Sequence, residues 1–254
     1  MRFDNLLRAA FLASLAAAAT LASGCDTIFR GNGDAASESR DLGHFTAIDI
    51  TAQIDVEIEV TGEREGPPER GPARDPVATM RCDSNLIHHV QTWVDEGVLH
   101  VHTDGRLDLR PRTTCELTLS TTTLERIRIE GPGGLIVDGA VDELRAIDIE
   151  GPAEIDVEGI AVAQLDVEVE GPADVSLAGT ADAVVIDLEG PVGFDAPHLA
   201  ARDLELIASG PVDADVRATE SVSLDLEGPV SLDVHGHPGA RDISTDGPVT
   251  LRFP

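Results

Sequence analysis

The residues best suited to chemistry in this chain are two cysteines and four histidines, because thiolate and imidazole groups are the usual ligands of zinc. They are Cys82, Cys115, His88, His89, His100 and His102. His100 and His102 would share one face of a strand, since side chains alternate along a strand. No Cys-x-x-Cys or His-x-x-x-His spacing accompanies them. The favoured interpretation is solvated histidines with no bound metal or cofactor, and zinc is the alternative.

Catalytic constellations are equally absent from the sequence. Ser, His and Asp all occur, but no Gly-x-Ser-x-Gly elbow places a nucleophile, and no carboxylate pair with glycosidase spacing stands out. Enzymes that cleave acidic polysaccharides need a basic side chain and usually aromatic platforms, whereas residues 116–254 contain no Lys, Tyr or Trp. The sequence therefore predicts a protein that is not an enzyme, and a carbohydrate-active enzyme is the least favoured alternative.

The third cysteine, Cys25, closes a segment that is typical of a bacterial lipoprotein leader. Arg2 and Arg8 precede an apolar run, residues 9–23, that is too short to cross a bilayer as a stable helix. The run ends in the sequence LASGC, which resembles the lipobox, where the leader is cut before a cysteine that then carries diacylglycerol. We predict a signal peptide over residues 1–24 and lipidation of Cys25, followed by a polar tether to residue 43. Ordinary secretory cleavage, which would leave Cys25 as a free thiol, is the alternative.

Export also bears on the two remaining cysteines. With Cys25 assigned to lipid, Cys82 and Cys115 form an even pair in an oxidising compartment, where disulfides persist. They lie 33 residues apart. Closing a loop of that size would stabilise the fold by roughly 3–4 kcal/mol in the chain-entropy model. We therefore predict a Cys82–Cys115 disulfide.

The charge of the chain limits its partners. The formal net charge is −29, no Lys occurs, and residues 116–254 carry 29 Asp and Glu against seven Arg. Such a surface excludes nucleic acid as a partner. It also lacks the basic residues that attract anionic lipids, so membrane contact would come through the lipid anchor. We expect a lipid-anchored protein of the bacterial cell envelope, held at the outer membrane or at the periplasmic face of the inner membrane.

A structural repeat positions all of these groups. Gly-Pro dipeptides recur at intervals of 18 to 20 residues, beginning at Gly131, Gly151, Gly171, Gly190, Gly210, Gly228 and Gly247. Apolar residues alternate with polar ones on both sides of each dipeptide, and Pro is confined to corners of a sheet because it donates no N–H. The pattern predicts an all-β parallel β-solenoid of about seven to eight rungs with a period near 20 residues.

Alternation also predicts which side chains point inwards. The inward columns lie four and two residues before each Gly and four and six residues after it, as in Ile147, Ile149, Ile155 and Val157. Acidic residues then stack on the outside. One row lies immediately before the glycines and includes Glu130, Glu150, Glu170, Glu189 and Glu227; a second lies five residues after them and includes Asp156, Asp195, Asp215 and Asp233. A solvating acidic face is the favoured interpretation and calcium binding the alternative, because the nonapeptide of calcium-loaded β-rolls is absent.

The same pattern extends towards the N-terminus. Residues 45–60 match a rung, which a charged, proline-rich loop over 62–76 follows. Short strands are predicted at 77–80, 90–94 and 98–102, the last two joined in a hairpin at 95–97. We therefore predict one solenoid domain over residues 44–254. In it, residues 44–115 form the first rung, the loop and an irregular cap, and residues 116–254 form the regular rungs.

From about Leu42 to Pro254 the sequence resembles the head GIN domain family of putative auto-transporter adhesins, which are bacterial envelope proteins. The resemblance is carried by residues 45–50 (FTAIDI), 55–56 (DV), 82–87 (CDSNLI) with Val90, and 95–101 (DEGVLHV), followed by the repeats. The family has Ser-Gly-Ser corners where this chain has Glu-Gly-Pro. The resemblance implies a β-helical, often lipid-anchored envelope domain.

Two classes of function follow. The first is a lipid-anchored, non-catalytic envelope protein that uses its solenoid for structure, interaction or adhesion, with another envelope protein or a glycan as partner. The second is a calcium- or polysaccharide-binding module.

Overall fold

The structure is a computed structural model that describes residues 27–62, 77–103 and 107–254, apart from the side chains of Thr27 and Val77. The predicted signal peptide and Cys25 lie outside the described residues, as does nearly all of the charged loop that follows the first predicted rung. No helix in the described ranges is long and apolar enough to span a membrane.

The described chain is built from β-strands and one short 3₁₀ helix at Ile87–His89. The strands are β1 (Thr27–Arg30), β2 (Ala35–Asp41), β3 (Ala47–Thr51), β4 (Asp55–Val60), β5 (Val77–Asp83), β6 (Val90–Asp95), β7 (Val98–Thr103), β8 (Leu107–Arg110), β9 (Glu116–Thr121), β10 (Arg126–Glu130), β11 (Gly133–Gly139), β12 (Ala146–Glu150), β13 (Ala153–Glu170), β14 (Ala173–Glu189), β15 (Val192–Ser209), β16 (Val212–Glu227), β17 (Val230–His235), β18 (Ala240–Asp246) and β19 (Val249–Arg252). They form a parallel β-solenoid with a period near 20 residues, which confirms the predicted fold.

Each rung has two long sides and a short third side. The first sheet contains β7, β3, β10, β12, the second halves of β13 to β16, and β18, and from β10 onwards each of these strands ends at a Gly-Pro corner. The second sheet contains β9, β4, β11, the first halves of β13 to β16, β17 and β19, and from β11 onwards each of these strands follows a Gly-Pro corner. In β13 the third side is residues 160–162, which a register shift separates from the second sheet.

The predicted inward columns are buried except in the last rung, and the core also includes residues outside them, such as Val141, Ile160 and Leu165. In the first sheet, Ile127, Ile147 and Val167 are stacked in register and buried. In the second sheet, Leu135 and Ile155 are also stacked in register and buried. A fully buried side chain of this size contributes on the order of 1.5–3 kcal/mol, so each rung is stabilised chiefly by contact with its neighbours. Because neighbouring rungs share one core, the stack is expected to fold as a unit.

The Gly-Pro corners stack directly on one another. Gly151 has a φ of 98°, which favours glycine, and its N–H donates to the carbonyl of Glu170 at 2.7 Å in the next rung. A Cβ at Gly171 would lie 3.2 Å from the Cα of Gly151. Glycine is therefore required both by the backbone conformation and by the close approach of the corners.

The order of the rungs differs from the order of the chain at the N-terminal end. The predicted first rung, β3 and β4, lies between two others, because β3 pairs with both β7 and β10 and β4 pairs with both β9 and β11. Thus β7, which was predicted to belong to an irregular cap, and β9, which was predicted to belong to the regular rungs, extend both sheets beyond the first rung.

The cap is completed by antiparallel strands. The predicted hairpin forms between β6 and β7, with positive φ at Glu96 and Gly97. On the other side β5 pairs with β9, and β2 pairs with β5. The prediction of a polar tether up to residue 43 was wrong for this part: β1 pairs with β8 and β2 joins the cap, because backbone pairing suffices to fix a polar segment.

Candidate functional site

The outer side of the first sheet carries the predicted acidic row. Glu130, Glu150, Glu170, Glu189, Ser209, Glu227 and Asp246 are aligned in register from β10 to β18. A second row lies beside it, two residues earlier in each strand: Arg128, Asp148, Glu168, Asp187, Ile207, Asp225 and Ser244. We call these two rows the acidic face.

One arginine balances the start of the acidic face. A guanidinium nitrogen of Arg128 lies 2.7 Å from Glu130 Oε1 and 2.9 Å from Glu150 Oε1, and another lies 3.6 Å from Asp148 Oδ2. Arg128 is partly exposed, so these pairs stabilise the fold only modestly. Their main effect is to neutralise the carboxylates at this end of the rows.

Arg128 is too little positive charge for the carboxylates of the acidic face, which still repel one another. Glu168 is exposed, but partial desolvation by its neighbours raises its pKa, and the charges around it raise this pKa further. These charges belong to Asp148, Glu170, Asp187 and Glu150. The middle of the acidic face therefore holds charge at a cost to stability, and a positively charged group bound there would relieve the repulsion.

An aromatic and histidine cluster lies at the N-terminal end of the same sheet. The indole of Trp93 on β6 stacks on the imidazole of His100, with ring centroids 5.1 Å apart, and meets His102 edge-on at 6.1 Å. His100 Nδ1 lies 3.1 Å from Asp49 Oδ2, and His102 Nδ1 lies 2.7 Å from the Thr51 hydroxyl. Trp93 remains 43% exposed. Sequence reasoning placed the two histidines on one face but missed Trp93, which the hairpin brings opposite His100.

The other predicted ligands of a zinc site are used elsewhere. Cys82 and Cys115 form a disulfide that extends the antiparallel pairing of β5 with β9. His88 lies 3.6 Å from Glu38, and His89 packs against Phe29 with ring centroids 4.8 Å apart. Among the residues that the structure describes, no group of three or more His, Cys, Asp or Glu side chains is arranged to hold a metal ion.

The second sheet carries the other predicted acidic row, with a neighbouring row that glycines interrupt. Asp156, Ser176, Asp195, Asp215 and Asp233 are in register, and beside them lie Gly134, Glu154, Asp174, Gly193 and Asp213. The missing side chains leave two open clefts, of about 530 Å³ at Gly134 and about 400 Å³ at Gly193. Carboxylates supply the charged part of both linings, beside apolar and small residues, and Arg81 adds a positive charge to the first.

A buried carboxylate organises the cap. Asp83 is fully buried, and it accepts hydrogen bonds from the N–H groups of Gly33 at 2.6 Å, Arg112 at 2.7 Å and Thr113 at 3.2 Å. Burial raises its pKa, but the backbone donors outweigh burial, so the pKa is lowered. Asp83 thus ties the segment between β1 and β2 to the segment after β8, and it did not emerge as a candidate from the sequence.

Comparison with known proteins agrees with this architecture. A family model described as "Putative auto-transporter adhesin, head GIN domain" matches residues 70–238, more than half of the chain. No curated protein matches this chain.

Several solved structures share the fold. A putative adhesin from Bacteroides fragilis NCTC 9343 is 21% identical with a TM-score of 0.79, over 89% of this chain and 100% of that one. A putative lipid binding protein from Parabacteroides distasonis ATCC 8503 is 18% identical with a TM-score of 0.64, over 90% of this chain and 100% of that one. A putative adhesin from Parabacteroides merdae ATCC 43184 is 17% identical with a TM-score of 0.63, over 89% and 99%.

Proposed function

This chain belongs to the head GIN domain family of putative auto-transporter adhesins, and we propose that it is a non-catalytic adhesion protein of the bacterial cell envelope. The acidic face carries the proposal. It presents two in-register rows of mostly charged side chains on a sheet whose core is packed, so the charges keep fixed spacings. Such an array recognises a partner by charge complementarity, and the partner would carry a matching row of cationic groups.

The position of the N-terminal cap indicates how the solenoid would be oriented relative to the membrane. If Cys25 carries the lipid, only one residue separates it from β1, which pairs with β8 in the cap. The first sheet holds nine parallel strand segments within the described ranges, which at about 4.8 Å each amounts to about 40 Å along the axis. The acidic face would then extend away from the membrane, and the rung of β18 and β19 would be most distant from it.

The test compares two acidic rows in one protein. The chain is incubated with envelope extract, captured, and analysed beside two triple variants that remove the same charge. One carries Glu150→Gln, Glu170→Gln and Glu189→Gln on the acidic face; the other carries Asp156→Asn, Asp195→Asn and Asp215→Asn on the second sheet. We expect an envelope component that the wild type and the second variant retain and the first variant loses. Equal capture by all three proteins would contradict a role for the acidic face.

The anchor has its own test. Replacing Cys25 by Ala should release the protein from the membrane fraction, because the acidic surface offers no other attraction to lipid. Fractionation followed by immunoblotting measures this, with the double variant Cys82→Ala and Cys115→Ala as a control that removes the disulfide and keeps Cys25. Retention of the Cys25→Ala variant in membranes would contradict lipid anchoring.

Glycan binding is a second candidate, and the cluster around Trp93 favours it. A partly exposed indole beside the imidazoles of His100 and His102 offers an apolar ring face and hydrogen-bonding groups to a sugar. A glycan array probed with the wild type and with Trp93→Ala tests this candidate. Binding that Trp93→Ala abolishes and the triple Gln variant retains would place a glycan site at the cap.

A further inference from the structure

The last rung of the solenoid is open. β18 pairs with β16 and β19 pairs with β17, and the other edge of each strand has no partner among the described residues. All seven residues of β18 are exposed, and Ile243, which continues an inward column, is 41% exposed. At the opposite end the cap buries Phe45 and Leu86 completely. Unpaired edges with exposed core residues are a template for pairing with another chain.

The molecule closes this end only in part. The guanidinium of Arg241 lies over the ring of Phe253, 3.9 Å from its centroid. Phe253 and Leu251 are half-buried against the core, but Ile243 is 41% exposed. Apolar surface and hydrogen-bonding edges therefore occur together at this end.

The charge of the last rung identifies a suitable partner. Residues 236–254 contain two Arg, at 241 and 252, and two Asp, at 242 and 246, so they are neutral, whereas the whole chain carries −29. Two copies of this protein repel each other over most of their surfaces. The last rung is a place where two copies can approach without that repulsion.

The geometry of the corner is also self-complementary. β18 runs towards Gly247 and β19 runs away from it. A two-fold axis that passes through Gly247 in the plane of the rung would place β18 of one copy antiparallel to β19 of the other. The same axis would pair β19 of the first copy with β18 of the second. Residues at equal distances from Gly247 then face each other: Ile243 meets the partner's Leu251, and Asp242 meets the partner's Arg252. Inward residues meet inward residues, and opposite charges meet on the outer side.

We infer that the last rung is a self-association surface that joins two copies of this chain end to end through β18 and β19. The interface is isologous, so it closes at a dimer and does not grow into a filament. One consequence rests on the proposed function: if each Cys25 carries a lipid, the two lipids would lie at opposite ends of the dimer. Two copies could then connect two membranes.

Sedimentation equilibrium of the full chain, in detergent matched to the density of the solvent, measures the association. We expect dimers, and we expect Arg252→Glu or Asp242→Arg to weaken dimerisation at least about tenfold because each places like charges together. The double variant Asp242→Arg with Arg252→Glu should restore it. Arg202→Glu, with the same change of charge at a distant site, should have no effect.

A cross-link tests the register. Ser244 and Thr250 are both exposed and equally distant from Gly247. Ser244→Cys and Thr250→Cys proteins, mixed and oxidised, should form a disulfide heterodimer faster than either forms a homodimer. The inference would be overturned if the protein were a monomer or an open-ended oligomer. It would also be overturned if dimerisation were equally strong in the wild type, the single variants at Asp242 and Arg252, and the double variant. Capture of an envelope component can succeed or fail independently of these results, so the failures of the two proposals are distinguishable.

Discussion

At the residue scale, Asp83 shows what holds the cap together. Its two oxygens receive three backbone N–H groups from segments that are distant in sequence. A Cβ at Gly31 would overlap the Asp83 carboxylate, so the chain also needs glycine there. The cap is thus closed by one carboxylate in addition to the Cys82–Cys115 disulfide.

We expect Asp83→Asn to lower the Tm by several degrees, because the amide presents an N–H to backbone donors that need an acceptor. The lowered pKa fixes the pH dependence. The stabilisation is complete above the ordinary aspartate pKa of 3.8 and is lost as pH falls through the lowered pKa of the folded state. Thermal melts from pH 7 to pH 3 measure this, with Asp34→Asn on the exposed surface as the control. A Tm equal to that of the control would contradict the role of Asp83.

Sequence reasoning succeeded for residues whose position follows from alternation and failed for those that depend on distant segments. The row at Glu150 and the column at Val169 follow from a period of two. In the sequence, Asp83 cannot be distinguished from the many aspartates that lie on the surface. Its hydrogen-bond donors near Arg112 come from a segment about 30 residues later, which only the fold brings next to it. Trp93 became a site candidate for a similar reason, because the hairpin places it on His100.

At the scale of elements, the N-terminal rungs show a limit of pattern reading. The match of residues 45–60 to later rungs correctly identified β3 and β4 as a rung. It did not reveal that β7 and β9 stack beyond them, since alternation reports which face is buried but not which strand is the neighbour. The first rung is therefore held on both sides, and it is not the end of the stack.

The shared core makes a prediction for a central rung. Val169→Asp would place an unpaired carboxylate at a position that is fully buried, and an uncompensated buried charge costs about 3–5 kcal/mol. We expect a large fall in Tm and the loss of several rungs together, measured by circular dichroism. Val185→Asp makes the same substitution on the outer side of a neighbouring strand and should change the Tm little. Equal stability of the two variants would mean that the inward assignment is out of register.

At the scale of the whole molecule, the acidic faces set the response to pH. The pKa of Glu168 is raised above its ordinary value of 4.5, so the folded state binds this proton more readily than the unfolded chain. Stability should therefore rise as pH falls from neutral through the raised pKa. It should fall again at lower pH, where Asp83 and Asp203, whose pKa values are lowered, become protonated.

We expect Glu168→Gln to raise the Tm at neutral pH and to reduce the gain on mild acidification, because it removes the group that the neighbouring carboxylates repel. Melts at pH 7.5, 6 and 5 measure both effects, with Glu158→Gln at an exposed corner as the control. Sodium chloride should also raise the Tm of the wild type, since screening weakens the same repulsion. A Tm that falls on mild acidification would contradict this account.

The effect of calcium on the Tm distinguishes between two interpretations of the acidic face, a solvated surface and a calcium-binding site. The rows supply carboxylates at fixed spacings, but no arrangement in the described part of the chain brings three potential ligands together around a metal ion. Calcium favours six to eight oxygen ligands, so isolated outward carboxylates should attract it only as a diffuse counterion. At constant ionic strength, millimolar calcium should then shift the Tm little more than magnesium does. A saturable, calcium-specific rise in Tm that is lost in the Glu150, Glu170 and Glu189 to Gln variant would contradict this expectation, because only binding to the native state produces a shift of that form.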